Sequence, residues 1–291
     1  MDEPLIEVVI ETKNEIGESP LWDEKRGSLW WVDILRGELH EYRLRDEVHA
    51  IRAVIGQSLG FIAPLDGDSF AAGTRSGIGR LKVDGNFELT CPVETERPTY
   101  RMNDGKCDPH GFLWAGTMSD ESAVEGNLYR VGPAWHASHV RGGMRLPNGM
   151  AWAKDGTVMC LADSVAGTIE FWEVGATSGL PSSLLASVTV PPGVGKPDGI
   201  AVDSEDCFWV AIWGGGRVQR YTTRGTLLGE VRLPAPLTAS CAFGGDRLDE
   251  LYVTTAQRKL STVALSQWPL SGAVFRVRAG VTGEPPDVYR A

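Results

Sequence analysis

Two polar side chains with oxygen atoms suited to metal binding occupy the same place in two related segments of the chain. Asn148 and Asp198 each stand between a proline and a glycine, in a segment that we expect to form a turn before a short apolar strand. Glu18 precedes another apolar run near the start of the chain. Carboxylate and amide oxygens are ligands that hard divalent cations prefer. The three side chains would form a cation site if the fold brought these distant segments together.

The segments around Asn148 and Asp198 belong to a repeat of roughly 40–50 residues, a length typical of one propeller blade. Each unit combines about four short apolar runs with turns rich in glycine, asparagine and aspartate, which favours strands over helices. The pattern predicts an all-β fold, a six-bladed β-propeller, and we expect residues 1–291 to form it as a single domain. The residues at which the six units open are Gly17, Ser58, Arg101, Asn148, Asp198 and Thr238.

The sixth unit lacks a fourth strand of its own, whereas the N-terminus carries a surplus one. Ile6–Ile10 is rich in β-branched residues, which favour strands, and it precedes the first full unit. We expect this N-terminal strand to pair with residues 273–277, so that it closes the ring and leaves no open sheet edge.

The overall composition limits the classes of function. The formal net charge of -10 argues against a nucleic-acid surface or a polybasic membrane patch. The five cysteines include no Cys-x-x-Cys pair, so a disulfide scaffold or a zinc ribbon is not expected. Residues 1–4 carry no secretory-signal pattern, and no apolar run approaches the ~20 residues that span a bilayer. We expect a cytoplasmic protein, a monomer or weak homodimer, with no nucleic-acid or membrane partner.

The predicted propeller would bring the polar side chains together. The innermost strand of every blade lines a central channel, so residues that open equivalent strands converge at its mouth. Glu18, Asp104, Asn148 and Asp198 occupy such positions. Aspartate and asparagine before glycine are also common turn formers, but Glu18 is not a turn residue and the set recurs in phase. The pattern predicts one divalent metal ion, with Ca, Mg or Mn favoured and Zn or Fe bound less selectively.

Several motifs, in this order, resemble the senescence-marker-protein/regucalcin/gluconolactonase family of six-bladed propellers. The resemblance covers nearly the whole chain, and the ordered set is more specific than any single motif. The matching segments are GESPLW (17–22), RMNDGK (101–106), AGTM (115–118), PNG (147–149), PDG (197–199), CAFGG (241–245) and LYVTTA (251–256).

The family consists mainly of divalent-metal-dependent sugar lactonases, so the resemblance implies that activity and a sugar lactone as the small-molecule substrate. The loop that begins at Trp213 varies across the family, and the identity of the sugar therefore does not transfer. The metal ligands implied by the resemblance are Glu18, Asn148 and Asp198, and the implied contacts to substrate hydroxyls are Arg101, Asn103 and Glu121.

The implied reaction opens the lactone to the sugar acid. The metal would polarise the lactone carbonyl and lower the pKa of a water, and Asp198 would accept the proton of that water as general base. Arg101 would fix substrate oxygens with its planar fork of donors. No Gly-x-Ser-x-Gly motif provides a serine nucleophile. The alternatives are an ester or organophosphate hydrolase on the same metal site and a non-enzymatic calcium-binding propeller, because fold does not determine function.

Overall fold

The computed structural model describes residues 5–121 and 124–291 as six four-stranded antiparallel sheets. The sheets form the blades of a β-propeller, which confirms the predicted fold class. A 3-10 helix spans Pro133–Trp135, and a short α-helix, α1, spans Thr262–Gln267. The strands are β1 (Ile6–Ile10), β2 (Gly17–Asp23), β3 (Ser28–Asp33), β4 (Glu38–Arg43), β5 (Val48–Val54), β6 (Leu59–Pro64), β7 (Ser69–Thr74), β8 (Gly77–Lys82), β9 (Phe87–Pro92), β10 (Tyr100–Cys107), β11 (Leu113–Ser119), β12 (Gly126–Gly132), β13 (His136–Met144), β14 (Pro147–Trp152), β15 (Val158–Asp163), β16 (Thr168–Val174), β17 (Pro181–Thr189), β18 (Lys196–Val202), β19 (Phe208–Trp213), β20 (Arg217–Tyr221), β21 (Leu227–Arg232), β22 (Thr238–Gly244), β23 (Glu250–Thr255) and β24 (Val274–Arg278).

The inner strands of the six blades form a closed ring. Blade one contains β2–β5, blades two to five follow with four consecutive strands each, and blade six contains β22–β24. Each inner strand packs against the inner strands of both neighbouring blades, and β22 returns to β2. β1 is the outer strand of blade six and pairs with β24, joining Ile6 to Val277 and Val8 to Phe275. The predicted closure by the N-terminal strand is therefore confirmed.

Apolar side chains fill the spaces between adjacent blades. Between blades two and three, for example, Phe61 packs with Met102 and Leu113, and all three are buried. The five cysteines are buried free thiols and behave as small apolar side chains. None of the helices in the described part of the chain is long and apolar enough to cross a membrane.

In blade three and again in blade five, an aspartate stabilises the turn that follows the inner strand. Asp108 accepts two backbone N–H bonds from its own turn, and its Oδ2 accepts from the indole Nε1 of Trp114 at 2.8 Å. Asp203 makes the same contacts, with Nε1 of Trp209 at 2.8 Å. The repeated spacing from aspartate to tryptophan thus fixes the first hairpin of both blades and the direction of their inner strands.

The two Pro-x-Gly segments are not turns that precede a strand, as the sequence interpretation assumed, because they lie within the inner strands. β14 begins at Pro147 and β18 at Lys196. The pairing register with the second strand shifts between Pro147 and Met150, and between Pro197 and Ile200. Similar shifts occur near the start of the other four inner strands. Such bulges bend a strand and redirect a side chain.

The last residues of the chain, 279–291, form a C-terminal strap across the face that carries the turns between first and second strands. The backbone N–H of Ser204 in blade five donates to the carbonyl oxygen of Thr282 at 2.8 Å. The backbone N–H of Tyr289 donates to the carbonyl oxygen of Pro64 in blade two at 2.9 Å. The strap joins blades on opposite sides of the ring, and the repeat pattern does not predict it.

Candidate metal and substrate site

The inner strands of blades one, four and five bring the three predicted metal ligands to the channel. Glu18 on β2, Asn148 on β14 and Asp198 on β18 are 5%, 6% and 5% exposed. Nδ2 of Asn148 donates to Oδ1 of Asp198, although 50 positions separate the two residues. Glu18 lies close enough to Asp198 to raise the pKa of its carboxyl by charge repulsion. Side chains that are distant in sequence are thus neighbours in the fold.

The side-chain amide of Asn148 is fixed through its nitrogen, and its oxygen is left free. Nδ2 donates to Asp198 and to Oγ of Ser164, the latter at 2.9 Å. The Ser164 hydroxyl donates to the carbonyl oxygen of Pro197 at 2.6 Å, so it can only accept from the amide. Oδ1 of Asn148 is buried and has no hydrogen-bond donor within the described parts of the chain. Such an oxygen costs about 1–3 kcal/mol, and a cation would supply the missing partner.

Three acidic side chains crowd the channel mouth. Burial, and then the charge of Asp104, raise the pKa of Glu18 to about 8. Burial, and then the charges of Glu18 and Asp104, hold the pKa of Asp198 well above its usual range. Burial also raises the pKa of Asp104, although its carboxylate accepts from the backbone N–H of Gly105 at 2.8 Å. Neighbouring carboxylates disfavour each other's ionised forms, and a divalent cation would relieve that repulsion.

The donor set at the channel mouth combines carboxylate and amide oxygens. Among residues 5–121 and 124–291, no group of three or more His, Cys, Asp and Glu side chains is placed to hold a metal ion. The free oxygen of Asn148 is therefore needed beside the carboxylates of Glu18 and Asp198. Oxygen ligands suit Ca²⁺, Mg²⁺ or Mn²⁺ better than they suit metals that prefer nitrogen or sulfur. The residues present fit a hard divalent cation.

Glycine allows neighbouring inner strands to approach closely enough to form this set. A Cβ atom at Gly149 would overlap the backbone oxygen of Asp198, and one at Gly199 would overlap the side chain of Ser240. Neither glycine has a positive φ, so the missing side chain matters here rather than backbone freedom. Ser240 lies near the Glu18 carboxyl and lowers its pKa, which burial raises. The two glycines thus bring three blades into contact at the site.

Arg101 and Asn103, two of the predicted substrate contacts, lie on β10 and are both buried. Nη1 of Arg101 donates to the backbone oxygen of Met102 at 2.9 Å and to Oδ1 of Asn103 at 3.2 Å. Nδ2 of Asn103 donates to the carbonyl oxygen of Pro147 at 3.1 Å, one residue before Asn148. These bonds connect the two side chains of blade three to the strand that carries a predicted metal ligand.

Glu121, the third predicted substrate contact, lies in the loop between β11 and β12 and is exposed. Its backbone N–H donates to Oγ of Ser119 at 3.1 Å. The carboxylate of the preceding residue, Asp120, is the one that approaches Arg101, with Oδ1 at 3.6 Å from Nε. The two adjacent acids therefore differ in their distance from Arg101, and Asp120 is the one that lies beside it.

Below the site, the central channel contains a cavity of about 100 Å³. Its lining includes Asp104 and Ser240 from the site, Lys106 from β10, and residues 284–287 of the C-terminal strap. Nζ of Lys106 donates to the backbone oxygen of Ile200, and its charge lowers the pKa of Asp104. The strap therefore covers the end of the channel opposite the candidate site.

A six-bladed propeller with a buried carboxylate and amide cradle at its channel mouth is the class of protein that this fold and site define. Residues 16–257 match the model of the family described as SMP-30/Gluconolactonase/LRE-like region. The chain belongs to this family, which confirms the resemblance inferred from its motifs. It is also similar to the crystal structure of a calcium-binding protein, regucalcin, from Agrobacterium tumefaciens. That comparison has a TM-score of 0.91 and 28% identity, and it covers 98% of this chain and 97% of the other.

Two similar proteins carry the names of lactonases. The chain is 35% identical over 283 residues to a pentonolactonase of Haloferax volcanii, with 95% of each chain covered. It is 34% identical over 283 residues to a 6-deoxy-6-sulfogluconolactonase of Pseudomonas putida, with 96% of each chain covered. In both comparisons nearly the whole chain is aligned, so the similarity extends over all six blades.

Proposed function

We propose that this protein is a divalent-metal-dependent hydrolase that opens a sugar lactone to the sugar acid, with residues 1–291 acting as one domain. The observation that carries the proposal is the free, buried oxygen of Asn148 beside the crowded carboxyls of Glu18 and Asp198. The names of the lactonase relatives support the class of reaction. The candidate metals are calcium, zinc, magnesium, manganese and iron, and the oxygen donors favour calcium, magnesium and manganese.

Asp198 is proposed to act both as a metal ligand and as the general base. A cation held by Glu18, Asn148 and Asp198 would supply Lewis acidity and lower the pKa of a water. Oδ1 of Asp198 accepts from Asn148, which leaves Oδ2 to take the proton of the attacking water. Burial, and then the charges of Glu18 and Asp104, hold the pKa of Asp198 above its usual range in the metal-free protein.

Arg101 is proposed to hold substrate hydroxyls, together with Asn103 and Glu121. The bonds of Nη1 to Met102 and Asn103 fix the guanidinium plane. Nε of Arg101 is buried and has no hydrogen-bond acceptor among the described residues. A propeller that only bound calcium would not need a buried arginine with a free donor beside the cation site. This arrangement favours an enzyme over the non-enzymatic alternative.

The direct test is a rate panel over glucono-, galactono-, xylono- and arabinono-lactones with several divalent metals. We expect hydrolysis of at least one lactone, loss of activity after chelation, and recovery when metal is added back. Activity that survives complete chelation would contradict the metal dependence. Hydrolysis of simple esters or organophosphates without lactone hydrolysis would favour the other hydrolase class. Metal binding without any hydrolysis would favour the alternative of a non-enzymatic calcium-binding propeller.

A further inference from the structure

The guanidinium group of Arg101 is hydrogen-bonded through Nη1 and lacks a hydrogen-bond partner at Nε within the described residues. Its Nη1 atom donates to the backbone oxygen of Met102 and to Oδ1 of Asn103, both on β10. Its Nε atom is buried and has no hydrogen-bond acceptor within residues 5–121 and 124–291. A buried donor without a partner is unfavourable, because it has lost its contact with water. The unpartnered Nε therefore indicates a place where a bound molecule supplies an acceptor.

Nε of Arg101 lies beside the carboxylate of Asp120. Oδ1 of Asp120 is 3.6 Å from Nε, which is longer than a hydrogen bond, and Oδ2 accepts from Nη2 of Arg75 at 2.7 Å. Arg75 also donates to the carbonyl oxygen of Pro98 at 3.3 Å. The backbone N–H of Asp120 donates to the carbonyl oxygen of Thr99 at 2.9 Å. These contacts hold the half-exposed carboxylate next to Arg101 without a hydrogen bond between them.

A hydroxyl group matches a free donor and a free acceptor that lie this close together. Its oxygen can accept from Nε of Arg101, and its proton can be donated to Oδ1 of Asp120. A carbonyl or ring oxygen would satisfy only the arginine, and an ammonium group would satisfy only the carboxylate. Both hydrogen bonds of the hydroxyl would involve a charged partner, which makes them stronger than neutral ones. The pair therefore distinguishes a hydroxyl from other oxygen-containing groups.

We propose that Arg101 and Asp120 form a hydroxyl-recognition pair in which Asp120 contacts the substrate directly. The inference rests on the proposed function and specifies its substrate class. The preferred lactone carries a free hydroxyl where the pair reaches it, and an unsubstituted or acylated lactone is disfavoured. Asp120 thereby acts as a specificity-determining residue, separate from Glu121 in the same loop.

The test compares Asp120→Ala, Arg101→Lys and the double variant on glucono-δ-lactone or the best lactone of the panel. Asp120→Ala is expected to lower kcat/KM about 10- to 100-fold, as loss of a hydrogen bond to a charged group does. The double variant is expected to be no slower than the slower single variant, because both changes act on the same hydroxyl. Asp246→Ala removes an exposed acid between β22 and β23 and serves as the matched control, with wild-type activity expected.

A second variant separates substrate recognition from anchoring of the loop. Arg75→Gln removes the exposed ion pair with Asp120, whereas the backbone bond from Asp120 to Thr99 still holds the residue beside Arg101. We therefore expect kcat/KM to stay within about threefold of wild type. The proposal is overturned if Asp120→Ala stays within about twofold of wild type, or if Arg75→Gln reproduces its full effect. It is also overturned if the losses of the two single variants multiply in the double variant.

Calorimetric titration with glucitol, a neutral polyol, makes the test independent of turnover. Wild-type protein is expected to bind glucitol, and Asp120→Ala is expected to bind it about 10-fold more weakly or worse. If wild type bound glucitol but opened no lactone, the proposed function would be wrong and the recognition pair would stand. Equal binding by wild type and Asp120→Ala, or no binding by wild type, would overturn the pair.

Discussion

Asn148 donates a side-chain hydrogen bond to Asp198 across the boundary between blades four and five. The same amide nitrogen donates to Ser164, and the amide oxygen is left buried and free. The two residues therefore offer different chemistry at one point of the channel. Asn148 presents a neutral oxygen that cannot take up a proton, whereas Asp198 presents a carboxylate that can.

Asp198→Asn and Asn148→Ala are expected to fail in different ways. Asp198→Asn should lower kcat by at least ~10²-fold, the lower end of the loss for a general base, and excess metal should not restore it. Asn148→Ala removes a neutral ligand, so metal binding should weaken and turnover should recover as metal is added. Titrating metal against the rate for both variants distinguishes the two roles.

Asn86→Ala is the matched control for these variants, since Asn86 is exposed in the turn between β8 and β9. Its rate and metal titration should equal those of wild type. If the rate of Asp198→Asn recovered fully at saturating metal, Asp198 would act only as a metal ligand. The general base would then be another group, such as Asp104 at the channel mouth.

The metal-free protein is expected to lose stability as the pH rises. The pKa of Glu18 is about 8 in the folded protein and 4.5 in its usual range. Between these values the folded state holds a proton that the unfolded state has released, so the free energy of unfolding falls with rising pH. The raised pKa of Asp198 acts in the same direction. Thermal unfolding in chelator, measured from about pH 4.5 to about pH 8, tests this expectation.

Saturating metal should flatten this pH dependence, because the cation replaces the proton as the partner of the carboxylates. Glu18→Gln is the control, since it cannot titrate and should show a smaller decrease in stability across the same range. A metal-free protein as stable at the upper end of the range as at the lower end would contradict the raised pKa values.

The repeat explains why much of this site could be predicted from the sequence. A propeller copies one unit six times, so Glu18, Asn148 and Asp198, which recur in phase, were predicted to be neighbours. A count of strands predicted the closure of the ring. The turn assignment was wrong because Pro-x-Gly resembles a turn in isolation. Only the neighbouring inner strand shows that Gly149 is needed for close approach.

Contacts that do not follow the repeat could not be predicted. Asp120 and Glu121 are adjacent acids in one loop, and Asp120 is bonded to Arg75, which belongs to another blade. The C-terminal strap has no counterpart in the repeat, and its path depends on the pocket that receives Tyr289. These features arise from packing between distant loops, which periodicity does not describe.

Tyr289 is expected to anchor the C-terminal strap. Its side chain is 2% exposed, its ring packs edge-on against Trp135 with centroids 4.8 Å apart, and its hydroxyl donates to the carbonyl oxygen of Gly132 at 2.6 Å. Tyr289→Ala should lower the free energy of unfolding by about 3–5 kcal/mol, as truncation of a buried aromatic residue does. Tyr289→Phe removes only the hydrogen bond and should cost about 1 kcal/mol.

Denaturant unfolding measures both Tyr289 variants. Val288→Ala is the control, because Val288 is exposed in the same segment and should change stability by less than about 0.5 kcal/mol. A Tyr289→Ala variant as stable as Val288→Ala would mean that the strap does not depend on this anchor.

Gly149→Ala is expected to weaken metal binding without removing a ligand. The added Cβ would overlap the backbone oxygen of Asp198, so β14 and β18 would have to move apart at the site. Metal sites require their ligands to be held closely in place, and loss of that support typically costs about 10- to 100-fold in affinity. Calorimetric titration of the metal-free variant with Ca²⁺ and Mn²⁺ measures the loss.

Gly229→Ala is the matched control, because Gly229 also lies in a strand, lacks a positive φ and has no atom near the added Cβ. Its metal affinity should equal that of wild type. Since Gly149→Ala keeps every proposed ligand and base, its rate should approach that of wild type at saturating metal, unlike the rate of Asp198→Asn. If Gly149→Ala bound metal as tightly as Gly229→Ala, the close approach of these two strands would not be what forms the site.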